Sequence, residues 1–539
     1  MHGLHQLEII VVLLAAVLAL TTVAQKLVIP YPILLVIGGL VLALVPGLPA
    51  IRLDPDLVFL VFLPPILWAA AYFTSLREFR ANIRPISFLA VGLVLATTAA
   101  VAAVARLMLP GMGWAEAIAL GAIVSPPDAV SATAIAKRLG IPRRIVTILE
   151  GESLVNDATA LVLYRTAVTA AVTGTFVLNE TVLQFVLAAG LGVLIGLAVG
   201  AATQWLLTLT ADSFTEIAVT LLAPYVAWVL AEHAHASAVL ACVTGGLYLR
   251  QHFSGIVSPL TRIQGRAVWD LVVFVLNGVI FILIGLQLST LREAVPADRF
   301  GSLLITGVAV SGTAILVRLM WVPLEAWLPR VLSPSLRERD PPPPWSHVFL
   351  TAWTGMRGIV TLAAALALPE RIGNGAPFPY RAEIILLSFS VILATLVLQG
   401  LSLAPLVRAL KLEEDRSFEH EEMAAREQAA SSALARLDQL KDEEWPIPEQ
   451  VERLRVHYGQ RQQRYANSAP VDPDCTAEAA DSFRRLRQET LTAERRAAID
   501  LRNEGHISDE VLHRIEHELD VEALRLGLAE HKSAVPQKS

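Results

Sequence analysis

The first 411 residues are a succession of apolar runs, most of them long enough to cross a lipid bilayer, separated by short polar connections. A membrane span needs roughly 20 predominantly apolar residues. Thirteen runs meet or approach that length, from 7–25 and 28–47 at the start to 346–369 and 380–410 at the end. The ninth, 236–250, is the shortest. Inside a bilayer no water is at hand to satisfy N–H and C=O groups, so runs of this kind fold as helices. Residues 7–22 have the apolarity of a signal peptide, but no Lys or Arg precedes them and many more runs follow. The expectation is therefore an uncleaved first span.

Charge divides the chain in two. Residues 412–539 carry 28 Asp/Glu and 18 Lys/Arg, as many charges as the 21 Asp/Glu and 25 Lys/Arg of residues 1–411, which are more than three times as long. The expected domains are a transmembrane domain over 1–411 and a charged, helical cytoplasmic domain over 412–539. A single soluble enzyme domain, a disulfide scaffold and a wholly disordered chain are excluded. Cys242 lies in an apolar run and Cys475 in the charged part, so the two imply neither a disulfide framework nor a metal cluster.

The basic residues set the orientation. With the N-terminus outside, the inner connections hold 14 Lys/Arg and the outer ones 6. Cytoplasmic loops carry such an excess. An odd number of spans then places the C-terminal domain in the cytoplasm. There, residues 419–441 predict a helix laced with Glu and Arg, and Pro446, Pro448, Pro470 and Pro473 divide the domain into pieces. It contains no Gly-rich phosphate loop and no nucleotide motif.

An ionisable side chain in mid-bilayer is costly, so it faces a cavity or a partner and marks function. Few acids fall well inside the runs: Asp128, Glu150, Glu152, Asp157 and Asp270. Three lie in LEGESLVNDATALVLY. On a helix, residues four apart share a face. Ser153 and Asp157 therefore stack, a hydroxyl above a carboxylate, while Glu152 and Asn156 form an adjacent face suited to a structural pair. Oxygen ligands without Cys or His suit an alkali cation or a proton. The partner expected for Glu152 is Arg318, an Arg deep in the apolar segment AILVRLMWV.

Two runs are interrupted. In GAIVSPPDAVSATAIAKRLG, Pro126 and Pro127 remove helix hydrogen bonds next to Asp128. Unwound backbone at membrane depth persists where it lines a cavity or packs on protein, and its freed carbonyls become ion ligands. In TAWTGMRGIVTLAAALALP, Gly355, Arg357 and Gly358 break the twelfth run. Breaks at matching positions of two halves point to an inverted-repeat transporter and its site. Arg357 is placed to offset the negative ends of the half-helices.

At these residues the chain resembles the monovalent cation:proton antiporter family, which includes bacterial sodium/proton antiporters and the animal sodium/proton exchangers. The matching motifs are FLPPIL, SPPDAV, GESLVND, VRLMWV, GMRG and the closing LVLQGLSLAPLVRAL, in order over roughly 60–410. The resemblance is to the bacterial subgroup that carries a cytoplasmic tail. It implies a thirteen-helix inverted repeat with crossed broken helices, a dimerisation domain, a moving core domain and a homodimer. By position it assigns Asp157 as the ion- and proton-binding carboxylate, Asn156 as its partner and Ser153 as a ligand hydroxyl. Asp128 becomes the acid at the crossing, Glu152 and Arg318 the buried ion pair, and Arg357 the arginine of the second crossing. The Asn–Asp pair implies electroneutral exchange. There are two departures. Ala69 stands where some members carry an acid four residues after Pro-Pro, and Pro127 stands where many have Thr or Val, which leaves a carbonyl ligand but no hydroxyl.

The expected protein is thus an all-α polytopic carrier in the cell membrane, exchanging Na+ for H+ by alternating access, with Asp157 and Ser153 holding the Na+. It has no cofactor and no nucleic-acid partner. Its partners are monovalent cations, protons, membrane lipid and a second copy of the chain. The rivals are K+/H+ exchange on the same fold and a membrane sensor signalling through the tail. An intramembrane enzyme is disfavoured, because the spans hold no paired-Asp protease motif, no Ser/His arrangement and no HExxH.

Overall fold

The computed structural model describes residues 2–27, 30–45, 54–128, 133, 139–174, 178–210, 212–253, 256–294, 297–372, 375–412, 417–440, 443, 445, 447–466, 486, 490–501, 503–504, 506 and 509–525. Lys137, Arg138, Arg52, Lys441, Pro446, Pro470, Pro473 and Cys475 lie outside these residues. Two compact units are present, Met1–Asp415 and Arg416–Ser539.

The first unit is built from α1 (His2–Leu27), α2 (Tyr31–Ala43), α3 (Pro55–Phe73), α4 (Ile83–Met108), α5 (Trp114–Val124), α6 (Arg143–Thr173) and α7 (Leu178–Leu209). It continues with α8 (Ser213–His233), α9 (Ala238–Phe253), α10 (Pro259–Ala294), α11 (Ala297–Leu332), α12 (Trp345–Trp353), α13 (Ile359–Leu366) and α14 (Arg381–Ala409). Among the described residues, seven helices are long and apolar enough to cross a membrane. The thirteen runs seen in the sequence therefore do not all become full-length apolar helices. α5 stops at a proline pair, α12 and α13 are two halves of one run, and α6, though 31 residues long, carries too many polar groups to qualify on composition.

The helices pack in two groups. α4, α5, α6, α11, α12, α13 and α14 contact mainly one another, as do α1, α2, α3, α7, α8, α9 and α10. Small residues allow the closest approach within the second group. A Cβ on Gly285 of α10 would lie 2.7 Å from the Leu40 nitrogen of α2, so only glycine fits where these two helices cross. Proline shapes α3. Pro64 and Pro65 offer no N–H to the turn before them, and the ladder widens there into a π turn over Val58–Phe62, with the Leu63 N–H reaching the Val58 carbonyl.

Asp270 does not belong to the interior. Its side chain on α10 is exposed and lies 3.8 Å from Arg266, one turn away on the same helix. The acids that the apolar pattern concealed are Glu216 and Glu325, both buried.

In the second unit, α15 (Ser417–Leu440) and α16 (Pro448–Ala466) form an antiparallel hairpin. Arg455 pairs with Asp438, and Gln462 donates to the Ser431 hydroxyl at 2.9 Å. Pro448 opens α16 at its first position, where its missing N–H costs nothing. α17 (Asp509–Arg525) is tied to the preceding helical stretch by Arg495 and Asp520.

Candidate ion-binding site

The site is built where two interrupted helices meet. α5 ends at Val124, and the segment from Ser125 to Asp128 is not helical because Pro126 and Pro127 have no N–H to donate. α12 ends at Trp353, and the chain runs unwound from Thr354 to Gly358 before α13 begins. The two unwound segments touch directly: the Asp128 N–H donates to the Met356 carbonyl at 2.6 Å. The residues after Asp128 that would form the second half of the fifth run are, apart from Thr133, outside the described residues.

Arg357 sits inside this crossing rather than at a membrane surface, with only 1% of its area exposed. Its Nε donates to the carbonyl of Val124, the last residue of α5, at 3.0 Å, and its Nη1 donates to Gly355 O. A fixed positive charge thus lies at the negative end of a half-helix. The Arg357 N–H is satisfied by Thr395 Oγ1 of α14 at 3.0 Å. Gly358 has a steric reason to be glycine. A Cβ there would lie 2.7 Å from the carboxyl carbon of Asp128, so the acid rests against bare backbone.

α6 brings the second set of groups. Asp157 and Asn156 are both buried, and Ser153 is half-buried. Asn156 Nδ2 donates to the Pro127 carbonyl at 3.2 Å, which joins α6 to the break in the fifth run. Among the described residues, the other end of that amide, Asn156 Oδ1, is buried without a hydrogen-bond donor.

On α6, Glu152 meets Arg318, the partner expected from the sequence. Glu152 and Asn156 share a face but do not serve one another. Asn156 turns to Pro127, while Glu152 receives two hydrogen bonds from Arg318 of α11, Nη1 to Oε1 at 2.5 Å and Nη2 to Oε2 at 2.8 Å. Arg318 Nη2 also reaches Thr351 O of α12 at 3.2 Å. Helical spacing places residues on a face; which element lies opposite each is decided by the tertiary fold.

The oxygens gathered here are the Asp157 and Asp128 carboxylates, Asn156 Oδ1 and the second lone pair of the Pro127 carbonyl. All are hard donors of the kind that hold an alkali cation. An orphaned buried acceptor is expensive, and a cation beside it removes the penalty. Among the described residues no group of three or more His, Cys, Asp or Glu could hold a metal ion. Ala69 of α3 is buried and has no side-chain oxygen to offer.

A polar cluster at the opposite end of α6 escaped the sequence reasoning. Asp340, in the connection between α11 and α12, accepts from Arg144 at 3.0 Å and Arg330 at 2.6 Å, and Arg84 stands 3.9 Å away. Arg84 also lies 3.6 Å from Glu325. Burial works to raise the Asp340 carboxyl, but the hydrogen bond and charge of Arg144, with Arg330 and Arg84, hold it below the ordinary value. The cluster ties together the ends of α4, α6 and α11.

Crossed unwound helices around the Asp128 and Asp157 carboxylates are the arrangement of a secondary transporter. Residues 12–409 match the family described as sodium/hydrogen exchanger, transmembrane, and the chain belongs to that family. It is a multi-pass membrane protein whose family exchanges a cation for a proton. An uncharacterised sodium/proton exchanger of Mycobacterium tuberculosis is 36% identical over 531 residues, covering 96% of each chain. A sodium, potassium, lithium and rubidium/proton antiporter of Bacillus pumilus is 33% identical over 413 residues, 74% of this chain and 61% of the relative. In fold, the chain is similar to a sodium/proton antiporter of Methanocaldococcus jannaschii. The TM-score is 0.59 at 17% identity, over 77% of this chain and all of that one.

Proposed function

We propose that the protein exchanges one Na+ for one H+ across the cell membrane, electroneutrally, with Asp157 as the shared binding group. Leaving a buried carboxylate charged and unpaired costs several kcal/mol. A cation or a proton removes that cost, and one carboxylate holds one or the other. The unloaded site would carry its charge across the apolar barrier, so the site changes sides only when loaded. The observation that supports this reading is Asn156 Oδ1, adjacent in sequence to Asp157 and buried with no donor among the described residues, while its amide nitrogen donates to the Pro127 carbonyl.

In this reading Asp157, Asn156 Oδ1, Ser153, Asp128 and the Pro127 carbonyl surround the Na+. Glu152, Arg318 and Arg357 fix the geometry of α6 and the crossing. The group containing α4–α6 and α11–α14 moves against the other group, which forms a homodimer. The N-terminus is outside, the C-terminal unit is cytoplasmic and regulates exchange, and the protein works without a cofactor.

The test is proton flux in proteoliposomes under an imposed sodium gradient. The wild type moves protons against the sodium flow and Asp157→Asn does not. Full exchange surviving in Asp157→Asn overturns the assignment. Repeating the assay with potassium and lithium salts fixes the cation, and sodium is the one expected to drive flux at the lowest concentration.

A further inference from the structure

A cavity of about 1080 Å³ opens at the end of the bundle where α6 finishes. Ala158 and Leu161 of α6 line it, the residues one and four positions after Asp157 in the chain. Its wall carries five ionisable side chains among the described residues: Asp56 of α3, Tyr164 and Arg165 of α6, Glu232 of α8 and His235 in the turn after α8. Arg165 and Glu232 form an ion pair, Nη2 to Oε1 at 2.9 Å. Arg165 belongs to the helix group that holds the site and Glu232 to the other, so the pair stands across the mouth between them. Arg381, the other arginine near this end of α6, is engaged with the carbonyls of Leu366 and Leu368.

The placement of Arg165 on α6 is what gives the pair meaning. Asp157, Leu161 and Arg165 follow one another at intervals of four, each a neighbour of the next on the helix surface. Arg165 therefore lies about 12 Å along the axis from Asp157 and about 80° round it, at the rim of the cavity. A cation moving from the rim to Asp157 passes the guanidinium. A free positive charge there repels it, and water in the cavity screens that repulsion only in part at this distance.

We propose that Glu232 is a positioning residue for cation entry. By holding the Arg165 guanidinium it cancels the positive charge that guards the route to Asp157, and it sets the apparent affinity for the transported cation on that side of the membrane. This rests on the exchange function proposed above. A mechanical clamp between the two helix groups is the competing role. The pair is poorly suited to it, with side chains 57% and 38% exposed, since ion pairs open to water add little stability.

The two roles separate by sign. Sodium-dependent initial rates are measured for the full-length chain in proteoliposomes of uniform orientation, with sodium supplied on the Arg165 side. The pH is kept alkaline so that proton competition does not cancel the effect. Glu232→Gln is expected to raise the sodium KM by roughly two- to tenfold with kcat nearly unchanged, and Arg165→Gln to lower it by a similar factor. The double variant returns toward wild type, and choline chloride, by raising ionic strength, shrinks both shifts. A clamp predicts the same direction for both single variants, because each breaks the same pair. That outcome, or a change confined to kcat, overturns the proposal. Should Glu232→Gln fail to reach the membrane, Arg165→Gln decides alone: a lowered KM upholds the proposal, and an unchanged or raised KM overturns it. Absence of exchange in the wild type would instead contradict the transport function itself.

Discussion

Arg318 and Glu152 face each other as a fork on a fork, two parallel hydrogen bonds of 2.5 and 2.8 Å between side chains that are each 1% exposed. They join α11 to α6 five residues before Asp157, about one and a half turns away. Removing either partner strands the other as a buried charge, at a cost of about 3–5 kcal/mol. Glu152→Gln and Arg318→Met are each expected to lose that much, seen as a large fall in the thermal unfolding midpoint in detergent. The exchanged pair, Glu152→Arg with Arg318→Glu, should recover part of it. A stable Glu152→Gln with weakened sodium binding would instead make Glu152 an ion ligand.

Gly358 supplies a second, more local prediction. Its φ of −143° suits any residue, so the effect of Gly358→Ala comes from contact and not from backbone strain. The new methyl would lie 2.7 Å from the Asp128 carboxyl carbon and has to displace it. The sodium KM is expected to rise about tenfold, equivalent to about 1.4 kcal/mol of binding, while the unfolding midpoint changes little. An unchanged KM would remove Asp128 from the binding site.

Arg357 holds two carbonyls, those of Val124 and Gly355. A lysine keeps the charge but has no planar fork to span both. Arg357→Lys is therefore expected to lose about 1–3 kcal/mol of stability, the cost of leaving a buried carbonyl unsatisfied. The check is thermal unfolding of the purified variant. Unfolding at the wild-type midpoint would show that the charge alone suffices.

The clasp around Asp340 has a pH dependence with a definite sign. Its carboxyl lies below the ordinary value of 3.8 because Arg144, Arg330 and Arg84 outweigh its burial. A depressed folded-state value means stability that is present above the unfolded value and lost as pH falls through the folded one. Asp340→Asn is expected to unfold at a lower temperature than wild type at neutral pH. The gap should close as pH drops below 3.8. Two parallel pH curves would show that the carboxylate charge does not act there.

The crossing was legible in the sequence because it breaks a local rule. Pro126–Pro127 and the Gly355–Arg357–Gly358 cluster cannot continue a helix, whatever surrounds them. The Ser153–Asp157 face was legible for the opposite reason, since helical spacing alone produces it. The pairing of Asn156 with Pro127 was not, because it depends on which segment lies across from α6. Glu325 and Arg84 were hidden as well. Their partners are distant in sequence, and the arginines of the connections carried only a topological signal. Asp270 looked internal from its position in a run, yet its helix turns it outward. Pattern locates a group along an element, and packing decides what it meets.

The central claim is that sodium and proton compete for Asp157, and the most direct measurement is the sodium dependence of exchange at a series of pH values. Competition predicts that acidification raises the sodium KM while the maximal rate at saturating sodium stays constant, and that Asp157→Asn abolishes both the exchange and its pH dependence. A maximal rate that falls with acidification at constant KM would place sodium and proton on separate groups and contradict the account.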